Sequence, residues 1–241
     1  MPLYREQGVV LRTMRLGEAD RIVTLVTPAH GKVRAVAKGV RKTKSRFGGR
    51  LEPLNHVDLL LYEGRELDVI SQCETLEQFR SVREDLDRLA KATSLLEAAD
   101  QLTQEGQAAP RLYTMLLGAL RSLAARDAPL LVPAFFLKLL SLEGFHPVLE
   151  DCGGCGSKGE LVAFDVGEGG ALCRSCAGRV SALAVSAEAL ALVRRALGGD
   201  LIGVLQEPVT RATAEVDRLA TRALEHHLER RLRSVAVLDR G

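Results

Sequence analysis

Residues 21–38 read RIVTLVTPAHGKVRAVAK: two runs of β-branched and alternating residues around the turn Pro28-Ala29-His30-Gly31. Arg21–Thr27 and Lys32–Lys38 therefore read as a β-hairpin. Working outward, Gly8–Met14, His56–Tyr62 and Glu66–Ser71 have the same character, with turn chemistry at Leu16-Gly17-Glu18 and Glu63-Gly64-Arg65. Five short strands within about 65 residues predict a small barrel rather than a sandwich of seven or more strands. If Val33, Ala35 and Ala37 face inward, Arg34, Val36 and Lys38 share the outer face, because side chains alternate along a strand.

Between the third and fourth strands lies Gly39–Arg50, GVRKTKSRFGGR. Arg41, Lys42, Lys44, Arg46 and Arg50, with Lys38 just before them, meet no acidic residue there. Three glycines and no apolar period predict a mobile loop rather than a helix. Residues 1–50 hold 12 Lys/Arg against 3 Asp/Glu, whereas the rest of the chain is net acidic, so the overall charge of +2 hides a strong asymmetry. A basic segment on an otherwise acidic chain points to a polyanion partner. The candidate phosphate contacts are Arg34, Lys38, Arg41, Lys42, Lys44, Arg46 and Arg50, followed by Arg15, Arg21 and Lys32. Aromatics are only 4% of the chain and Trp is absent, so binding is expected to lean on phosphates and to be weakly sequence-specific. Phe47 is a candidate for stacking on a base, or else anchors its loop.

From about Leu76 the apolar period becomes helical. Helices are expected around Leu86–Ala99, with Asp85 and Asp87 at its start, and over Arg111–Arg126, Leu130–Leu142, Ser186–Leu197 and Thr210–Arg233. The domain reading is a barrel over 1–79 and a helical domain over 80–241, with a cysteine-bearing insertion at 150–180.

Four of the five cysteines form Cys152-Gly153-Gly154-Cys155 and Cys173-Arg174-Ser175-Cys176, seventeen residues apart. That is zinc-site spacing. Two residues between thiolates let both reach one cation, and Gly153, Gly154 and Gly156 permit a positive φ in the turn. Four cysteines would close the coordination shell, making one Zn2+ structural rather than catalytic. Two disulfides or four unpaired thiols are the alternatives; a reducing compartment disfavours disulfides. Lone Cys73 reads as a small buried hydrophobe.

No phosphate-binding G-x-x-x-x-G-K-[ST] loop, nucleophile elbow or dinucleotide fingerprint occurs, and the five histidines are dispersed. No catalytic centre is legible, so the protein is not expected to be an enzyme. No apolar run would span a bilayer and the N-terminus carries no signal-type apolar stretch. The expected address is the cytoplasm, at the nucleoid, with no membrane partner.

The segment Gly17–Lys32, GEADRIVTLVTPAHGK, running on through AVAKGVRK (35–42) and SRFGGRLEP (45–53), closely resembles the RecO family of bacterial DNA repair proteins. Leu142–Pro147 leading into the first cysteine pair, and His227–Ser234, are similar to that family as well. The resemblance implies an α+β multidomain chain: an N-terminal five-stranded OB-fold β-barrel, then a mostly α-helical domain with an inserted four-cysteine zinc module. It also implies a recombination mediator that binds single- and double-stranded DNA and anneals complementary strands. Together with RecR, such a protein promotes RecA loading on strands coated by the single-strand-binding protein SSB, with RecF in the same pathway. The SSB C-terminal tail is an implied partner of the helical half, with Arg121, Arg126 and Lys138 as candidates by position. Annealing needs no ATP, consistent with the missing phosphate loop. A zinc-containing, sequence-specific nucleic-acid-binding regulator is the alternative.

Overall fold

A computed structural model describes residues 2–232 and 234 and divides into two compact units, one of residues up to Ala125 with Ser234, the other Arg126–Leu232. In the first unit, β1 (Leu3–Leu16), β2 (Asp20–Thr27), β3 (Gly31–Ala37), β4 (His56–Tyr62) and β5 (Asp68–Glu77) close into a barrel of order β1-β2-β3-β5-β4. This is the OB order. Its long first strand makes closure possible. Residues 9–16 of β1 pair with β2 and residues 3–9 with β4, and an irregularity between Val10 and Arg12 bends the strand from one partner to the other. A bulge of this kind is how a sheet turns a corner.

The expected phase of β3 holds. Val33, Ala35 and Ala37 are buried in the barrel core with Val10, Val23, Leu25, Val57, Leu59, Leu61, Ile70 and Cys73. Burial pushes the Cys73 thiol up to about 12, so it behaves as an inert apolar group. The parallel junction of β3 with β5 is brief: only Ala35↔Asp68 and Val36↔Val69 are in register. Beyond it the core is completed by Phe47 and Leu51 from the β3–β4 connection.

That connection is therefore not the mobile loop that its glycines and charges suggest. Phe47 and Leu51 are buried in the barrel and Leu54 is also buried, at a spacing of four and three residues. The Asn55 side-chain amide donates to the carbonyls of Gly49 and Arg50, and Val10 and residues 54–55 exchange backbone hydrogen bonds. Three apolar side chains among six cations are too sparse a pattern to read as an element, yet they suffice to pin it.

Three helices complete this unit: α1 (Arg80–Arg83), α2 (Leu86–Leu102) and α3 (Pro110–Ala125). Asp85 caps α2, accepting from the amides of Asp87 and Arg88. Asp100 of α2 binds Arg12 at 2.7 Å and Lys32 at 3.2 Å on the barrel. Gly31, with φ of 63°, lies against residues 104–107; a Cβ there would stand 2.0 Å from the Gln107 carbonyl oxygen. Glycine at the hairpin turn is thus a requirement of close approach as well as of backbone angle.

The second unit holds α4 (Leu131–Leu142), β6 (Leu161–Asp165), β7 (Gly170–Cys173), α5 (Arg174–Ala177), β8 (Leu183–Ala184), α6 (Ala187–Leu197), α7 (Leu201–Val204) and α8 (Arg211–His227). Helix α4, apolar on all sides, is buried from Leu131 to Leu137, as an unstriped helix must be. Ser186 caps α6, and Thr210 with Thr213 forms a capping box at α8. The last helix is shorter than its period suggests: it stops at His227, and Glu229 turns the chain with φ of 52°. Arg233, the end expected for it, lies outside the described residues. Among the described residues no helix is long and apolar enough to cross a membrane.

A buried polar relay joins β4, β5 and α3 inside the first unit. His56 is 4% exposed; its Nδ1 lies 3.0 Å from Glu77 Oε1 and its Nε2 2.6 Å from the Tyr113 hydroxyl oxygen. Carboxylates only accept, so Nδ1–H donates to Glu77 and Nε2 accepts the Tyr113 proton, an arrangement that requires neutral imidazole. Burial holds the His56 pKa below the ordinary value, while the hydrogen bond to Glu77 opposes it. The Arg121 guanidinium, followed by His56, lowers that of Glu77. Both groups bind protons less readily folded than unfolded, so stability is lost as pH falls below about 6.5 and again below the carboxylate range. Thermal unfolding at pH 7.5 and pH 5 will show a smaller acid-induced drop in Tm for His56→Gln than for the wild type.

Candidate nucleic-acid interface and metal centre

The ten candidate phosphate-binding cations divide into two groups once the chain is folded. Arg21 pairs with Glu52 at 2.7 Å, Lys32 with Asp100 at 3.2 Å, and Arg34 with Glu105 at 3.6 Å. Lys32 is only 17% exposed and also donates to the Asp100 carbonyl, so its charge serves the barrel–α2 junction. The Arg34 pair is longer and half exposed, hence weak and screened.

Arg15, Lys38, Arg41, Lys42, Lys44, Arg46 and Arg50 are exposed, and among the described residues none has a carboxylate within ion-pair distance. The β3–β4 connection, which carries most of them, is tied at its start to the β1–β2 turn. The Arg41 amide donates to the Ala19 carbonyl, its guanidinium to the Gly17 carbonyl at 3.2 Å, and the Gly39 amide to Asp20 Oδ1 at 2.7 Å. A pinned segment displays its cations without the entropy cost of ordering a free loop.

Phe47 is not available to a base. Its ring is 1% exposed within the barrel core, and the Arg46 guanidinium lies 4.8 Å over its centroid. The anchoring role is the one that the fold assigns to it, since the brief β3–β5 junction leaves a gap that needs an apolar filler.

A groove of about 650 Å³ opens between this connection and β5. Arg46 and Arg50 stand with Ser71, Gln72, Glu74, Thr75 and Gln78 around it. The polar residues of β5 were missed in the sequence. The available signal was the polar run Ser71-Gln72, Glu74-Thr75 along a strand whose inward positions are Ile70 and Cys73.

The second unit contains a four-cysteine cluster that could hold a metal ion. The sulfurs of Cys152, Cys155, Cys173 and Cys176 all lie within 4.8 Å of one another. The Cys155 and Cys173 sulfurs are 3.8 Å apart, the separation of about 3.8 Å that tetrahedral Zn–S bonds of 2.3 Å require. The second pair sits at the end of β7 and the start of α5, while the backbone of the first is held by Cys152 N–H to Ser157, Gly156 N–H to Cys152 and Gly153 N–H to Ala171. Positive φ falls on Gly156 alone of the three glycines; Gly154 is instead required for space, since a Cβ there would lie 3.2 Å from Cys176 Sγ.

The Ser175 hydroxyl, then the Cys176 amide, bring Cys173 down to about 5, and the Cys173 amide lowers Cys152. Neighbouring thiols, Cys155 first, push Cys176 up to about 12. Four sulfurs this close cannot all carry charge unless a cation sits among them. The cluster is therefore suited to a metal ion, with no protein-free ligand position in a four-cysteine shell.

The three dispersed histidines His146, His226 and His227 are gathered around a separate, mainly apolar cavity of about 310 Å³ with Leu137, Leu140 and Phe145; the Phe145 and His227 rings are 4.0 Å apart. Arg121 is occupied: its guanidinium grips both oxygens of Glu77, at 2.6 and 3.0 Å.

A closed OB barrel with exposed cations left without acidic partners, and a four-cysteine cluster suited to a metal ion, are the features of a nucleic-acid-binding protein. Comparison with known proteins agrees. Residues 1–79 match the family described as Recombination protein O N terminal, and residues 83–236 match Recombination protein O C terminal. Proteins named DNA repair protein RecO are 44% identical in Frankia casuarinae and 43% identical in Streptomyces coelicolor, each over the whole of both chains. A third, from a Nocardioides species, is 44% identical over 99% of this chain and all of its own. The chain belongs to the RecO family of DNA repair and recombination proteins.

Since Phe47 fills the barrel, Phe47→Ala will lower the unfolding free energy by about 3–5 kcal/mol in urea titrations, a loss that a purely DNA-stacking side chain would not cause.

Proposed function

We propose that the protein is a stoichiometric recombination mediator, not an enzyme. It binds single- and double-stranded DNA through the barrel, anneals complementary strands without ATP and, with RecR, promotes RecA loading onto SSB-coated single strands. Family membership supports the role in repair. The observation that carries the mechanism is the set of seven exposed cations, Arg15, Lys38, Arg41, Lys42, Lys44, Arg46 and Arg50, left without acidic partners. Arg34, and at a greater electrostatic cost Arg21 and Lys32, join them only by exchanging a carboxylate for a phosphate.

Annealing follows from charge. Two strands repel each other, and a surface that screens both raises their encounter rate without consuming nucleotide. Contacts to phosphate position a strand but carry no sequence information, as a mediator requires and a sequence-specific regulator does not. Residues 1–79 are read as the DNA-binding domain and 80–241 as the helical domain, whose partners would include the SSB C-terminal tail; RecF and RecA are reached indirectly. Residues 150–180 would bind one structural Zn2+ through Cys152, Cys155, Cys173 and Cys176. The working place of such a protein is the cytoplasm, at the nucleoid.

Annealing of two complementary oligonucleotides without ATP tests the reading. Wild type will anneal them, more slowly as salt rises, and Arg41→Glu/Lys42→Glu/Lys44→Glu will lose the activity; annealing by the variant at the wild-type rate would refute it. If about five phosphates are contacted, log K for a single strand will fall against log salt with a slope of roughly −3.5. Elemental analysis of the purified protein will find one zinc per chain. Cys173→Ser will lose it and become sensitive to proteolysis within 150–180.

A further inference from the structure

The groove beside β5 has an asymmetry that a purely phosphate-tracking surface would lack. One wall carries Arg46 and Arg50, whose guanidiniums bond only to the carbonyls of Ile70 and Arg46. The rest of the lining comes from β5, with Ser71, Gln72, Glu74 and Thr75, and from Gln78 beyond it, and Arg46 reaches that strand through the Ile70 carbonyl. Glu74 is exposed and, among the described residues, accepts no hydrogen bond and forms no ion pair, although two arginines line the same groove; its register partner on β4 is Asp58, and Arg5, paired with Asp58, is the cation that feels its charge. Past Val69, moreover, β5 has no β3 partner in register, so its groove-side edge is not covered by the sheet.

A ligand that fits has an anion on one side and hydrogen-bond donors on the other, within about 650 Å³. A nucleotide of a single strand has both: phosphate at one end and, on cytosine, adenine and guanine, an exocyclic amino group at the other. We propose that this groove holds nucleotides of a single strand, with phosphates on Arg46 and Arg50 and base edges on β5, where Glu74 accepts from exocyclic amino groups. The inference rests on the barrel being the single-strand-binding surface and adds the path of the strand and a preference among bases.

The preference follows from elementary hydrogen bonding. A carboxylate accepts from the N4 amino group of cytosine. Thymine offers only N3–H, flanked by two carbonyl oxygens that repel a carboxylate. Glu74 therefore discriminates by base composition, not by sequence, which leaves annealing of mixed strands possible.

Fluorescence anisotropy with 20-nucleotide oligo-dC and oligo-dT tests the proposal. Wild type will bind dC about threefold to tenfold more tightly than dT, the net range of one ordinary hydrogen bond. In Glu74→Gln the dC/dT ratio will fall toward one, because the amide presents a donor as well as an acceptor. Using the ratio cancels any uniform gain from removing a negative charge. Arg46→Ala/Arg50→Ala will weaken dC and dT alike and reduce the salt slope by about 1.4, with thermal unfolding measured alongside to show that the double variant is folded. Equal binding of dC and dT by wild type, or a ratio that survives Glu74→Gln, overturns the base-reading wall while leaving the DNA-binding surface in place. An unchanged salt slope in the folded double variant overturns the strand path. Failure of wild type to bind either oligonucleotide overturns both this inference and the mediator reading.

Discussion

The barrel is sealed at its weakest point by an apolar side chain from a cationic segment. Strands β3 and β5 meet over two residue pairs only, too few to close the wall by hydrogen bonds. Phe47 and Leu51 fill the space that the sheet leaves open, and burying two large side chains there contributes about 1.5–3 kcal/mol each. Pinning these residues fixes the cations between and beside them. Lys42, Lys44, Arg46, Gly48 and Arg50 are exposed while Phe47 and Leu51 are buried, so the charge is displayed on a scaffold that is already ordered. The same constraint shapes the groove, one of whose walls is this segment.

A second organising principle is the division of the basic residues between structure and surface. Lys32 and Arg12 converge on Asp100, and Arg83 donates to Asn55 and to the Pro53 carbonyl. These cations link the barrel to its adjoining helix and to the segment that seals it. Arg121 likewise holds Glu77 in place against His56. What is left over, from Arg15 to Arg50, has no acidic partner. Net charge alone could not make that distinction, since Arg12 and Lys32 lie within the same basic stretch as the cations left unpaired.

The metal centre answers a different constraint. The hairpin of β6 and β7 with short β8 is a small sheet, and a three-stranded element of this size has little apolar surface to bury. Four sulfurs within 4.8 Å of one another would, around one cation, supply a cross-link in place of a larger core. Gly154 keeps the first turn close enough to Cys176 for this geometry, through its lack of a side chain rather than through a special backbone angle.

The sequence by itself determined the elements with strong local periods and the sites with covalent spacing. The alternation of Val33, Ala35 and Ala37 set the inner face of β3, the span His56–Tyr62 is legible as it is found, and the paired C-x-x-C spacing identified the metal ligands as a group. These were legible because each depends on residues a few positions apart. Three features were decided only by tertiary structure. Phe47 became a barrel plug because the space it fills is formed by strands on either side of it in the chain. Arg21, Lys32 and Arg34 acquired carboxylates from Glu52, Asp100 and Glu105, which lie 31 or more residues away. The polar wall of β5 became one side of a groove when a segment some 25 residues earlier folded over it. In each case the deciding interaction is long-range, and a partner distant in sequence leaves no local pattern to read.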